Sequence, residues 1–136
     1  MRSKTLKRAK DKCWKAFSEY IRTKECLETT DSPFSGICVT CGREVDFKEC
    51  QAGHFLAGRT NSILFEENGV HLQCRQCNLF RSGNIENYYP YMLKKYGQKE
   101  IDRLKKLKGT IRKFTIEELD TMTEEFKRKQ SDLYSL

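Results

Sequence analysis

The sequence predicts an α+β fold: a strand-and-loop block stapled by a metal, between a basic N-terminal helix and a helical C-terminal tail. Three observations carry that prediction. Two Cys-x-x-Cys pairs, Cys38/Cys41 and Cys74/Cys77, bracket a stretch with little helical periodicity. Apolar residues recur at helical spacing on both sides of it. The whole positive excess sits on residues 1–24, which hold nine Lys/Arg against two Asp/Glu, while residues 25–136 hold seventeen of each sign.

A chain of 136 residues is enough for one domain and short for two. We divide that domain into a basic helix (1–28), a metal-bound core (29–84) and a helical tail (85–136). With 33% of residues charged, the core must be thin, and thin cores usually need a staple. Seven cysteines are available. An odd number with this spacing is not a disulfide framework. The chain shows no secretory segment and no apolar run of membrane-spanning length. A cytoplasmic protein is expected, in whose reducing surroundings Cys-x-x-Cys pairs bind metal.

The elements follow in order. Leu6, Ala9, Cys13, Phe17 and Tyr20 are spaced for a helix over 3–24, with Trp14 and Ile21 widening its stripe. Residues 29–37 are a turn-rich link. Short strands and loops lead from Cys38 to a helix beginning near Cys74 or Arg75. Ile85, Tyr88, Tyr89, Met92, Leu93 and Tyr96 mark one face of a helix closing at Gly97, with Pro90 as a kink or first-turn residue. A short helix over 99–107 points Ile101 and Leu104 inward. Thr115 with Glu118 is a capping-box signature, opening a last helix with Ile116, Leu119, Met122 and Phe126 on its buried stripe.

Two such knuckles can set four thiolates at the corners of a tetrahedron, the arrangement of a structural Zn²⁺. Cys38, Cys41, Cys74 and Cys77 are the expected ligands. A four-sulfur site is closed, so any chemistry must come from elsewhere. Between the knuckles lies Gln51-Ala52-Gly53-His54-Phe55. His71-Leu72-Gln73-Cys74-Arg75-Gln76-Cys77-Asn78 closes the loop.

These stretches, with Cys38-Val39-Thr40-Cys41-Gly42-Arg43, Ser82-Gly83-Asn84, Tyr96-Gly97 and Thr115-Ile116-Glu117-Glu118-Leu119, are similar to the phage Rap/NinG recombination family. The resemblance runs from about Phe17 to Phe126. It implies an HNH-type nuclease with a ββα-metal site, a divalent cation besides zinc, and activity on Holliday junctions or related branched DNA.

The residues suit that chemistry. A neutral His accepts a proton from water near pH 7, which makes His54 the expected catalytic base. Mg²⁺ or Mn²⁺ would polarise the phosphate and neutralise the leaving oxygen. Such ions take hard oxygen ligands, and the Asn78 side chain offers one. Many HNH proteins place an acid before the base, where this chain has Gly53. The second metal ligand is therefore open among His71, Glu66, Glu67 and Asn84. Arg59 is a candidate for gripping the phosphate. Lys4, Lys7, Arg8 and Lys12 are candidates for DNA contact along the first helix. Two other functions fit the same residues: a non-catalytic zinc-stabilised DNA-binding module, and an HNH nuclease cutting ordinary duplex. Symmetric cutting of a junction would need two sites, so a homodimer is expected, with no membrane partner.

Overall fold

The computed structural model describes residues 5–135. Helix α1 (Leu6–Thr30) comes first, followed by strands β1 (Ser35–Ile37), β2 (Glu44–Asp46) and β3 (Gln51–His54). A short helix α2 (Asn61–Leu64) and a 3-10 turn (Glu67–Gly69) lead to β4 (Val70–Gln73). A single wide turn (Gln76–Phe80) then precedes helices α3 (Ile85–Lys95), α4 (Gln98–Lys108) and α5 (Ile116–Leu133). The α+β expectation holds. Among the described residues, no helix is long and apolar enough to cross a membrane.

α1 outruns its predicted end by six residues. It starts at an N-cap, where the Thr5 hydroxyl accepts from Arg8 N at 3.1 Å, and stops at Asp31 in the left-handed region. The extra turns bury Cys26 and a carboxylate, Glu25, at 0% and 2% exposure. A buried acid does not register as part of an apolar stripe, so the pattern looked finished too early. Glu25 is buried because it has partners: its oxygens accept from Leu72 N at 2.9 Å and bond His71 Nδ1 at 2.8 Å.

Two antiparallel hairpins occupy the middle of the chain. β1 pairs with β2 (Gly36 opposite Val45), and β3 pairs with β4 (Gly53 opposite His71, His54 opposite Val70). The first Cys knuckle is the β1–β2 turn, and Val39 N bonds Leu72 O at 3.0 Å, which ties it to β4. The second knuckle follows β4 directly. The regular helix expected from Cys74 or Arg75 is instead a five-residue π turn, closed by Arg81 N on Gln76 O. Its opening is set by the knuckle, where Cys77 N donates to Cys74 Sγ.

The apolar side chains form three buried groups. α1 and α5 share Cys13, Phe17, Leu119 and Phe126. Cys26, Val45, Cys50 and Leu72 surround the knuckles. Phe55 packs on Tyr88, Met92, Ile101 and Leu104 of the tail. α5 opens with the expected reciprocal cap, Thr115 with Glu118. Its apolar stripe is covered by α1 of the same chain, so it is not left over for a second copy. In α3 the buried face is narrower than expected: Tyr88 and Met92 are covered, but Ile85 and Leu93 are 53% and 44% exposed. Pro90 lies inside that helix, past its first turn.

Candidate functional site

The four knuckle cysteines converge. Their sulfurs all lie within 4.8 Å of one another, and Cys41 and Cys74 are 3.7 Å apart. A tetrahedral ion with bonds of about 2.3 Å holds its sulfurs about 3.8 Å apart. The donor set and spacing therefore fit a structural metal such as zinc. Backbone and side-chain donors point at the sulfurs as they do at thiolates: Cys77 N reaches Cys74, and Asn84 Nδ2 reaches Cys77 at 3.5 Å. Burial opposes ionisation of Cys38, yet the Thr40 hydroxyl and nearby amides bring its thiol down to about 6.

At the end of β3 lies a cleft of about 650 Å³. His54, Arg59 and Asn78 all line it, together with Leu79, Ser82 and Gly83. β3 delivers His54 at its last residue, and the turn after the second knuckle delivers Asn78. The two side chains that the sequence singled out thus face one space.

His54 makes two direct contacts. Its Nε2 bonds the Leu64 carbonyl at 3.1 Å. A carbonyl only accepts, so Nε2 carries the proton and Nδ1 keeps the lone pair. The Trp14 ring stacks on the imidazole at 5.2 Å and 17°. The Arg59 guanidinium lies over the same indole, 4.3 Å from its centre. Burial pushes the His54 pKa below its ordinary 6.5; the Leu64 carbonyl opposes this, and Arg59 reinforces it. The imidazole is neutral at pH 7. Behind it, the Tyr88 hydroxyl donates to Gly53 O at 2.7 Å and fixes the strand.

Asn78 donates from Nδ2 to Gln51 Oε1 at 2.7 Å. That bond aims its Oδ1 the other way, toward Gly53. A Cβ added at Gly53 would stand 2.9 Å from that oxygen and collide with Gln73 Oε1. The missing acid thus has a steric reason: a side chain at position 53 has no room.

Other candidates are placed differently. His71 is 1% exposed. Its Nδ1 faces Glu25, and its Nε2 faces Asn68 O at 2.9 Å and Tyr96 Oη at 3.1 Å. Neither nitrogen is available to an ion, so His71 supports the hairpin from within. Glu66 pairs with Arg103, and Glu67 bonds Lys129 and Tyr20. Asn84 is buried, with its amide on Cys77. None of the four lines the cleft with His54 and Asn78.

The basic helix does not present one cationic face. Successive helical residues turn by about 100°, so Lys7 and Lys10 share the side of Trp14, and Lys12 is nearly opposite. Lys10 Nζ bonds Asn61 Oδ1 at 2.9 Å beside the cleft. Lys7 pairs with Asp11, and Arg8 is exposed. Lys12 instead borders a groove containing Glu117, Asp120, Glu124 and Glu125 of α5. Lys4 lies outside the described residues.

Two residues of the site were not picked out in the sequence as such. Trp14 counted only as part of an apolar stripe, and Lys10 was one lysine among several. The spacing 7, 10, 14 was the available signal, since it puts both lysines on the indole's face.

Residues 1–135 match the family model described as NinG: Bacteriophage Lambda NinG protein. Protein ninG of Escherichia phage lambda is 30% identical over 97 residues, covering 71% of this chain and 47% of that protein. The ninG proteins of Escherichia phage 933W and Salmonella phage P22 are each 28% identical over the same shares. The chain spans about half the length of the curated relatives it matches. No solved structure matches it. The chain belongs to the family of the bacteriophage lambda NinG protein.

Proposed function

We propose that this protein is a metal-dependent DNA endonuclease of the ββα-metal (HNH) type, cutting branched DNA such as four-way recombination junctions. One observation carries the reading: a neutral imidazole, His54, and a carboxamide, Asn78, line the same cleft. The β3–β4 hairpin, followed by the turn bearing Asn78, supports the reading, with a π turn where the expected helix would stand. Zinc at the four cysteines clamps that frame.

His54 Nδ1 takes the proton from the attacking water, while the Leu64 carbonyl and Trp14 keep the ring from turning. Arg59 stands where it can meet the scissile phosphate. Asn78 Oδ1 would hold Mg²⁺ or Mn²⁺, which supplies charge neutralisation at the phosphate and at the departing oxygen. Lys7 and Lys10 extend the cationic track past the cleft. Paired cuts across a junction need two copies.

The test is a synthetic four-way junction incubated with Mg²⁺ and either wild type or His54→Ala. Nicking by wild type alone is expected. Equal nicking by both proteins would remove His54 from the chemistry. Gly53 favours a second reading, an inert zinc-stabilised DNA-binding module. Tight, salt-sensitive binding with no cleavage under any divalent ion would establish that one instead. Cutting linear duplex as fast as the junction would keep the enzyme and change its substrate.

A further inference from the structure

The cleft offers one hard oxygen, Asn78 Oδ1, and position 53 supplies no acid to complement it. Asn78 turns that oxygen toward Gly53, on the face of the hairpin that His71 shares, and on that face lies Gln73, at the end of β4 and fully buried. Its Nε2 donates twice, to Gly83 O at 2.9 Å and to Thr40 Oγ1 at 3.1 Å. Because the Gly83 carbonyl can only accept, the orientation of this amide is fixed, and Oε1 must point the opposite way. There it has no hydrogen-bond partner. It is the one buried side-chain polar atom among the described residues in that condition.

An orphaned buried oxygen in an otherwise satisfied interior calls for an explanation. The direction of Oε1 provides one. Gln73 Oε1 and Asn78 Oδ1 crowd the same point, the place where a Cβ on Gly53 would sit. Each amide has its NH₂ end occupied elsewhere. Both oxygens therefore point at that place, and Gln73 Oε1 finds no donor there. That arrangement repels itself unless something positive joins it, and hard divalent cations are bound by such oxygens.

We propose that Gln73 Oε1 is the second protein ligand of the divalent cation held by Asn78, in place of the acid that position 53 lacks. This rests on the metal reading of the cleft. The bare backbone of Gly53 is the condition for it, since any side chain there would displace the Gln73 oxygen. Both ligands are neutral, so the site binds its cation weakly alone and completes itself with the negative charge of a DNA phosphate.

The test uses the zinc-loaded protein and Mn²⁺ as the probe, with binding read from water-proton relaxation and zinc content checking the fold. Gln73→Met keeps the length of the side chain and removes the hard oxygen. It is expected to weaken Mn²⁺ binding about tenfold or more, as Asn78→Ala should. Gln73→Glu, which puts a charged oxygen in the same place, is expected to tighten it, a gain that a purely structural glutamine would not produce. If neither variant retains zinc, paramagnetic broadening of the Gln73 side-chain amide by Mn²⁺ in wild type decides, and its absence overturns the assignment. Mn²⁺ affinity unchanged in Gln73→Met, or no Mn²⁺ binding by wild type, overturns the assignment. Mn²⁺ binding that depends on Gln73, without cleavage of any DNA, would sink the nuclease and leave the ligand standing. Cleavage with Gln73-independent binding would do the reverse.

Discussion

His54 and His71 lie one register step apart on the same hairpin, and their surroundings separate them completely. Because side chains alternate along a strand, the Gly53–His71 pair and the His54–Val70 pair face opposite sides. His71 turns inward, where Glu25 and the Asn68 carbonyl meet its two nitrogens. His54 turns toward the cleft, with one nitrogen tied to Leu64 O and the other left for chemistry. Residue type is the same in both. What differs is how many ring nitrogens the fold has already engaged, and that number separates a support from a candidate base.

The most drastic way to break the contrast is to remove what holds the hairpin. Cys74→Ser should abolish metal retention and, with it, the cooperative thermal transition, because metal binding and folding are coupled in such small domains. Both histidines would then lose their places together. A melt resembling wild type after zinc removal would show that the sulfurs are not the clamp.

Changing one histidine at a time should separate activity from stability. His54→Asn should lower the junction-cleavage rate by about 10²–10⁴-fold while zinc content holds. In wild type, the rate should climb with pH through a pKa below 6.5 and level off above it, because the neutral ring is the active form. The same depressed pKa makes the fold lose stability as pH drops below about 6.5, where the unfolded chain takes up the proton first. A plateau reached only above pH 7 would contradict the buried, neutral base.

His71→Phe should do the opposite. It leaves the Glu25 carboxylate buried without its partner, a loss of about 3–5 kcal/mol in a denaturant titration. The protein that remains folded at low temperature should still cut. The smallest expected effect lies on α1. Lys10→Ala should lower the slope of log affinity against log salt by about one, and Lys12→Ala, beside the acids of α5, should leave it unchanged. Equal changes would mean that DNA reaches both faces of the helix.

Much of the architecture was legible because it is local. The Thr115–Glu118 cap, the periodic stripes of α1 and α5, and the two cysteine knuckles each depend on residues a few positions apart. That His54 and Asn78 should face one space was what the resemblance to HNH-type proteins implied, and both line one cleft. What stayed hidden depends on distant partners. Glu25 belongs to α1 because Leu72 and His71, more than forty positions on, meet its oxygens. The π turn at Gln76–Phe80 is shaped by where the sulfurs must go, not by helix propensity. Three-residue strands such as β1 and β2 are too short to show alternation.

Trp14 is the only tryptophan in the chain, and it lies face to face with His54 and beneath Arg59. With excitation that spares the tyrosines, emission from this protein is thus light from a single indole stacked on His54. An imidazolium quenches indole fluorescence more strongly than a neutral imidazole, so the emission should dim as acid is added, with its midpoint reporting the titration of His54. A nucleic acid that draws Arg59 away should shift the same signal, giving the molecule an optical gauge that needs no label.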